Sequence, residues 1–100
     1  MNVIDLERQL KQPGTPFVLD VREAWEYAQG HVPEAQLVPL GELEQRIGEV
    51  PRDRAVAVIC QSGQRSLAAA AYLIALGYPQ VANVDGGTTA WVERGFAVTR

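Results

Sequence analysis

The run Ala55-Val56-Ala57-Val58-Ile59 contains no polar residue and ends abruptly at Cys60. A strand with one wet face alternates apolar and polar side chains. A strand apolar throughout is covered on both faces, and this is the mark of a parallel sheet, whose crossover helices supply the cover. The rest of the chain fits that requirement. Phe17–Val21 and Val81–Val84 are further short apolar runs, and Leu37–Val38 is a fourth, between Pro33 and Pro39. Helical spacing lies between them. Val3, Leu6 and Leu10 share a face over Val3–Lys11, which Pro13-Gly14 stops, and Glu23–Gln29 ends at Gly30. Gly41–Glu49 leads Leu43, Ile47 and Val50 along one side, Ser66–Leu76 ends at Gly77, and Thr88–Arg94 is last. Strands alternating with helices predict an α/β domain with a small, mostly parallel sheet.

Size and charge narrow the function. One hundred residues predict a single domain over residues 1–100. Area scaling gives about 5,600 Å² accessible when folded against about 15,800 Å² unfolded, enough for one modest core. Nine basic and twelve acidic residues leave a net charge of −3, which provides no field for nucleic acid or an anionic membrane. The longest strongly apolar stretch, Leu67–Leu76, is too short to span a bilayer. Residues Met1 to Asp5 lack the basic and apolar regions of a secretion signal, so the expected location is the cytoplasm. One cysteine and one histidine rule out an internal disulfide and a thiolate- or histidine-rich metal site.

In open α/β sheets, sites gather beyond the carboxyl ends of the strands. Three segments arrive there: Asp20-Val21-Arg22, the polar loop Cys60-Gln61-Ser62-Gly63-Gln64-Arg65, and Asp85-Gly86-Gly87. The second carries the chemistry. A helix N-terminus leaves backbone N–H groups unpaired and positive. A loop curling over it, with Gly63 permitting the curl, aims several N–H groups at one point. A thiol there is stabilised as thiolate, and Arg65 adds a forked donor suited to an oxyanion. A lone cysteine is commonly a small buried hydrophobe. Its place at a strand end, ahead of Gly63 and Arg65, marks Cys60 instead as a nucleophile for an anionic substrate. Cysteine phosphatases use the same device with five residues between cysteine and arginine. Here only four intervene, and Ile59 replaces the histidine common before the cysteine. Both differences weigh against phosphoryl transfer, and the shorter loop suits a smaller group at sulfur, such as one transferred sulfur atom.

Asp20-Val21-Arg22-Glu23, Gly30-His31-Val32-Pro33, Cys60-Gln61-Ser62-Gly63-Gln64-Arg65-Ser66, Gly86-Gly87 and Trp91 occur in an order and spacing that resembles the single-domain rhodaneses, over about residues 3–98. The resemblance implies a rhodanese-like three-layer domain, a central sheet flanked by helices on both sides. It also implies a thiosulfate sulfurtransferase working through a persulfide on Cys60, with no metal and no organic cofactor. In that scheme the backbone of Gln61, Ser62, Gly63, Gln64 and Ser66 cradles the outer sulfur, and Arg65 orients the donor. The donor is thiosulfate or a persulfide; the acceptor is cyanide in an assay, and a thiol or a protein in the cell. Gln61 and Gln64 are neutral, leaving Arg65 as the loop's one full charge, which leaves a protein persulfide or a low-molecular-weight persulfide as an alternative to thiosulfate as the physiological donor. The rivals are a non-catalytic persulfide carrier or protein-binding module of the same fold, and a cysteine phosphatase or arsenate-processing enzyme.

Around the loop, Asp20 and Arg22 are expected to pair, with Arg22 either scaffold or site rim. His31 is expected to hydrogen-bond structurally, since a pre-formed thiolate needs no base. Gly86 and Gly87 let the backbone turn beside the site. Trp91 and Phe96 are expected in the core, and Trp25 and Tyr27 to pack or to line a pocket wall. From Ser66 to Val92 the one charged residue is Asp85. That stretch either supplies the buried helices or presents an uncharged face for self-association or for docking a sulfur acceptor.

Overall fold

A computed structural model describes residues 1–100. Four strands, β1 (Phe17–Asp20), β2 (Gln36–Leu37), β3 (Val56–Ile59) and β4 (Val81–Asn83), form one sheet in the order β2-β1-β3-β4. Every pairing is parallel, with Asp20 opposite Ile59 and Val58 opposite Asn83. The helices are α1 (Val3–Leu10), α2 (Ala24–Gln29), α3 (Gln64–Ala75) and α4 (Gly87–Glu93).

The apolar run read from the sequence divides its side chains between two cores. Val56, Val58 and Cys60 face one side with Leu19 and Val21 of the β1 segment, against Ala69, Ala70 and Leu73 of α3 and Leu43 and Val50 of the 40–50 segment. Ala57 and Ile59 face the other with Val18, against Val3 and Leu6 of α1 and Trp91 of α4. The two-residue period of the strands thus builds the three layers. The folded surface is 5474 Å², close to that expected from chain length.

The chain leaves β1 for β2 on one side and returns to β3 on the other. The direction of winding therefore reverses between β1 and β3, and the carboxyl ends of these two strands, Asp20 and Ile59, flank the reversal. Such a switch point opens a crevice in a doubly wound sheet.

Three expectations need correction. Gly41–Glu49 is not an α-helix: it holds two short 3₁₀ turns, Leu40–Glu42 and Ile47–Glu49. Gly41 and Gly48 weaken the helix, and three-residue bonds such as Leu43 N–H to Leu40 O and Val50 N–H to Ile47 O take over. Leu43 and Val50 still reach the core. α3 begins at Gln64, two residues early, because Gly63 adopts a left-handed conformation (φ 106°) and turns the chain directly into the helix. Gln64 and Arg65 are therefore helical, not loop. Trp25 is 65% exposed on the short α2 and packs into neither core. Trp91 and Phe96 do meet edge to face, centroids 4.9 Å apart.

Candidate active site

The buried β3 carries Cys60 to the switch point and stops. Three further residues, Gln61, Ser62 and Gly63, lead into α3. The Cys60 sulfur is buried. The Gly63 N–H donates to Sγ at 3.1 Å, and Ser66 Oγ lies 3.3 Å from Sγ. As a thiol, Cys60 donates to that hydroxyl; as a thiolate, it accepts the hydroxyl proton. Burial pushes the Cys60 thiol up. The Ser66 hydroxyl, together with the backbone N–H groups of Ser66, Gly63 and Ser62, outweighs burial and brings it below its ordinary value.

The loop's carbonyls are held from the opposite side. Cys60 O accepts from the Thr88 N–H at 2.9 Å and the Thr88 hydroxyl at 3.2 Å, and Gln61 O accepts from the Thr89 N–H at 3.0 Å. In a trans peptide the C=O and the following N–H point opposite ways. Anchoring the carbonyls of Cys60 and Gln61 on α4 therefore turns the Gln61 and Ser62 N–H groups away from it. Gly87 makes the close approach possible. A Cβ on it would lie 2.4 Å from Cys60 O and 2.7 Å from Gln61 O. Gly86, also at positive φ, is the cap before α4.

The charged groups form two matched pairs. Arg22, 2% exposed, grips Asp20 through Nε (3.0 and 3.1 Å) and Nη2 (2.9 Å), and reaches Gly30 O and Gln61 Oε1, each at 3.0 Å. The expected Asp20–Arg22 pair is thus present. Arg22 is buried, lines a pocket with Gln61 and Thr88, and holds the first loop side chain. Gln61 Nε2 in turn donates to Thr89 Oγ1. The second pair was not foreseen. Arg65 donates from Nη1 and Nη2 to the two oxygens of Glu26, at 2.7 and 2.8 Å. Chiefly through that bond, against the opposing cost of burial, the Glu26 carboxyl is held down to about 2, and Arg65 is raised. Arg65 therefore does not stand free in the mouth of the loop. A nearby signal for Glu26 existed in the sequence: it closes a capping box with Glu23 at the start of α2, just beyond Arg22.

The remaining candidates are set further back. His31 Nδ1 lies 2.9 Å from Tyr27 O, and the two rings stack with centroids 3.6 Å apart, consistent with a structural role. Ser62 and Gln64 are exposed at the loop rim. In the uncharged stretch, Leu67, Ile74, Leu76 and Val92 are exposed, so it supplies apolar surface as well as buried helix. No helix is long and apolar enough to cross a membrane.

A thiolate-favouring cysteine at the switch point of a parallel sheet, with backbone donors of Ser62, Gly63 and Ser66 around its sulfur, defines a class of cysteine-centred α/β domains. The comparisons place the chain within it. Residues 3–94 match the family model for the rhodanese-like domain, and the chain belongs to that family. A protein of Allochromatium vinosum named a sulfurtransferase is 38% identical, over 98% of this chain and 94% of its own. A Bacillus subtilis protein provisionally named a sulfur carrier is 40% identical over 77% of this chain and 42% of its own. Among solved structures, a rhodanese-related protein from Thermoplasma volcanium superposes with a TM-score of 0.91 at 36% identity, covering 99% of this chain and 95% of that one.

Proposed function

We propose that this rhodanese-family chain transfers a sulfane sulfur from a small donor to a thiophilic acceptor through a persulfide on Cys60. The observation that carries the reading is the Cys60 sulfur itself, buried at the switch point yet favoured as thiolate by the Gly63 N–H and the Ser66 hydroxyl. The thiolate attacks the outer sulfur of the donor, the donor's S–S bond breaks, and its electron pair leaves with sulfite when the donor is thiosulfate. The product is a Cys60 persulfide anion, which the N–H groups of Gln61 to Ser66 cradle. Arg65, held by Glu26, orients the donor's anionic end. An acceptor thiolate, or cyanide in an assay, then attacks the outer sulfur and returns Cys60 as thiolate. Every step is a displacement at sulfur, so no net proton transfer is required, and two half-reactions on one nucleophile give ping-pong kinetics. A reducing cytoplasm keeps the lone thiol available.

A second reading, a carrier loaded once and emptied by a partner, has support in the Bacillus subtilis relative's provisional name. One experiment tests both. Intact-protein mass spectrometry after incubation with thiosulfate, or with a low-molecular-weight persulfide, reads the loading of Cys60. The expected result is a gain of one sulfur atom, removed by cyanide and absent from Cys60→Ser. Stoichiometric loading with negligible steady-state turnover selects the carrier. No gain from either donor, in folded and reduced protein, overturns the proposal.

A further inference from the structure

Arg65 lies in the first turn of α3, whose N-terminus faces the Cys60 sulfur, and its charge is felt by that sulfur. Its neighbour Ser66 has its Oγ 3.3 Å from that sulfur, so in isolation Arg65 would favour donors in proportion to their negative charge. It is not isolated. Both terminal nitrogens are committed to the Glu26 carboxylate, which is largely buried on α2 and also accepts the Glu23 backbone N–H at 2.9 Å. The other guanidinium packed against the loop, Arg22, is matched by Asp20. Gln61 and Gln64 add no charge. Arg22 and Arg65 thus come with carboxylates already attached, and what stabilises sulfur there is the Ser66 hydroxyl together with oriented N–H dipoles.

We infer that Glu26 determines donor specificity. By matching Arg65 charge for charge at the mouth of the Cys60 loop, it keeps the site open to singly charged sulfane-sulfur donors and withholds the advantage a free guanidinium would give a dianion. Glu26 acts through Arg65 and is a positioning residue. The inference rests on the sulfurtransferase reading and deepens it, since it specifies the class of donor: singly charged thiosulfonates and persulfides in preference to thiosulfate.

Two donors isolate charge from chemistry. Thiosulfate carries two negative charges and releases sulfite; ethanethiosulfonate carries one and releases a sulfinate. In both, the Cys60 thiolate attacks the outer sulfur, the S–S bond breaks with its electron pair on the leaving group, and total charge is conserved. The readout is the ratio of Cys60 loading rates, thiosulfate over ethanethiosulfonate, followed by intact mass. Glu26→Gln keeps an oxygen for the Glu23 N–H and for one arginine N–H while removing the charge. It is expected to raise the ratio by about tenfold at low salt, the effect of one extra unit charge at short range near a surface. That gain shrinks as salt screens the half-exposed guanidinium. Arg65→Gln, leaving Glu26 uncompensated, is expected to lower the ratio, and Glu26→Gln/Arg65→Gln to return it toward the parent. Arg100, which donates to Gln29 O and lines a pocket with Arg22, Gln61 and Thr88, is unchanged across the set, so a change in the ratio reports the Glu26–Arg65 pair. Equal changes for both donors, or a fall in the ratio on Glu26→Gln, overturn the inference. If Glu26→Gln does not fold, an unchanged ratio in Arg65→Gln overturns it as well. Absence of loading from either donor in the parent protein refutes the sulfurtransferase reading instead.

Discussion

Arg22→Met tests whether the switch point is held by its buried ion pair. Arg22 and Asp20 are both essentially inaccessible, and the guanidinium donates to Asp20 from two nitrogens at 2.9–3.1 Å. Methionine matches much of the arginine stem and removes the head. The Asp20 carboxylate then keeps one bond, from the backbone N–H of residue 22 at 3.0 Å, and loses its counter-charge. Gly30 O and Gln61 Oε1 each lose a donor as well. Breaking a buried pair from one side costs about 3–5 kcal/mol, because the surviving charge stays desolvated. Taking the lower end, since the methionine stem keeps its packing, and about 4–8 °C per kcal/mol for a domain near this size, the midpoint of unfolding falls by roughly 12–24 °C. Thermal unfolding followed by circular dichroism at pH 7, with urea titration for the free energy, gives the value. The double variant Asp20→Ala/Arg22→Met removes both charges. It is expected to cost less than the sum of its two single variants by at least about 1 kcal/mol. A loss under about 1 kcal/mol for Arg22→Met, or strict additivity in the double variant, would refute the assignment of stability to the pair.

Two further perturbations act on the cradle. Gly87→Ala places a methyl 2.4 Å from Cys60 O, at φ +57°, and is expected to cost about 2 kcal/mol or more while abolishing most Cys60 loading; near-parent loading would refute the clamp. For the parent, loading rate against pH is expected to rise with an inflection below the ~8.5 of a free cysteine and then plateau. Ser66→Ala removes the hydroxyl that favours the thiolate, moves the inflection upward and slows loading at pH 6 several-fold. The sign carries over to stability. A folded-state value depressed below the unfolded one contributes stability at pH above the unfolded value, and loses it as pH falls through the folded one.

How much of this was legible without coordinates follows the distance along the chain over which each interaction acts. The apolar run 55–59, the cysteine at its end and the glycine that lets the following loop curl lie within ten residues, and local rules read them, though not that Gly63 starts α3 at once. The same locality explains Asp20–Arg22, two residues apart. Glu26 and Arg65 are 39 residues apart and meet only because α2 and the start of α3 both cap the switch point. No pattern within either segment announces the pair. The grip of Thr88 and Thr89 on the loop is equally remote; its one trace in the sequence is Gly86-Gly87, read as a turn but not as a close approach. The 41–49 segment failed for the opposite reason. Its apolar spacing, Leu43, Ile47 and Val50, serves a pair of 3₁₀ turns as well as a helix, and the two glycines decided between them.

These long-range contacts also explain how a buried sulfur is favoured as thiolate without a free cation against it. A charge beside the thiolate would favour it, but would favour any anion there. Peptide dipoles act only within a few ångströms and only along their axes. They must be aimed, and each peptide plane has two ends to fix. Here the carbonyl ends of Cys60 and Gln61 are tied to the N-terminal turn of α4, while the Gly63 and Ser66 groups close on the sulfur from α3. The Asp20–Arg22 pair fixes Gln61 from below. The cradle therefore depends on three elements meeting in register, and this accounts for a glycine rather than any side chain at residue 87. A methyl there, 2.4 Å from Cys60 O and 2.7 Å from Gln61 O, would push the carbonyl ends off α4 and swing the amide ends off the sulfur with them.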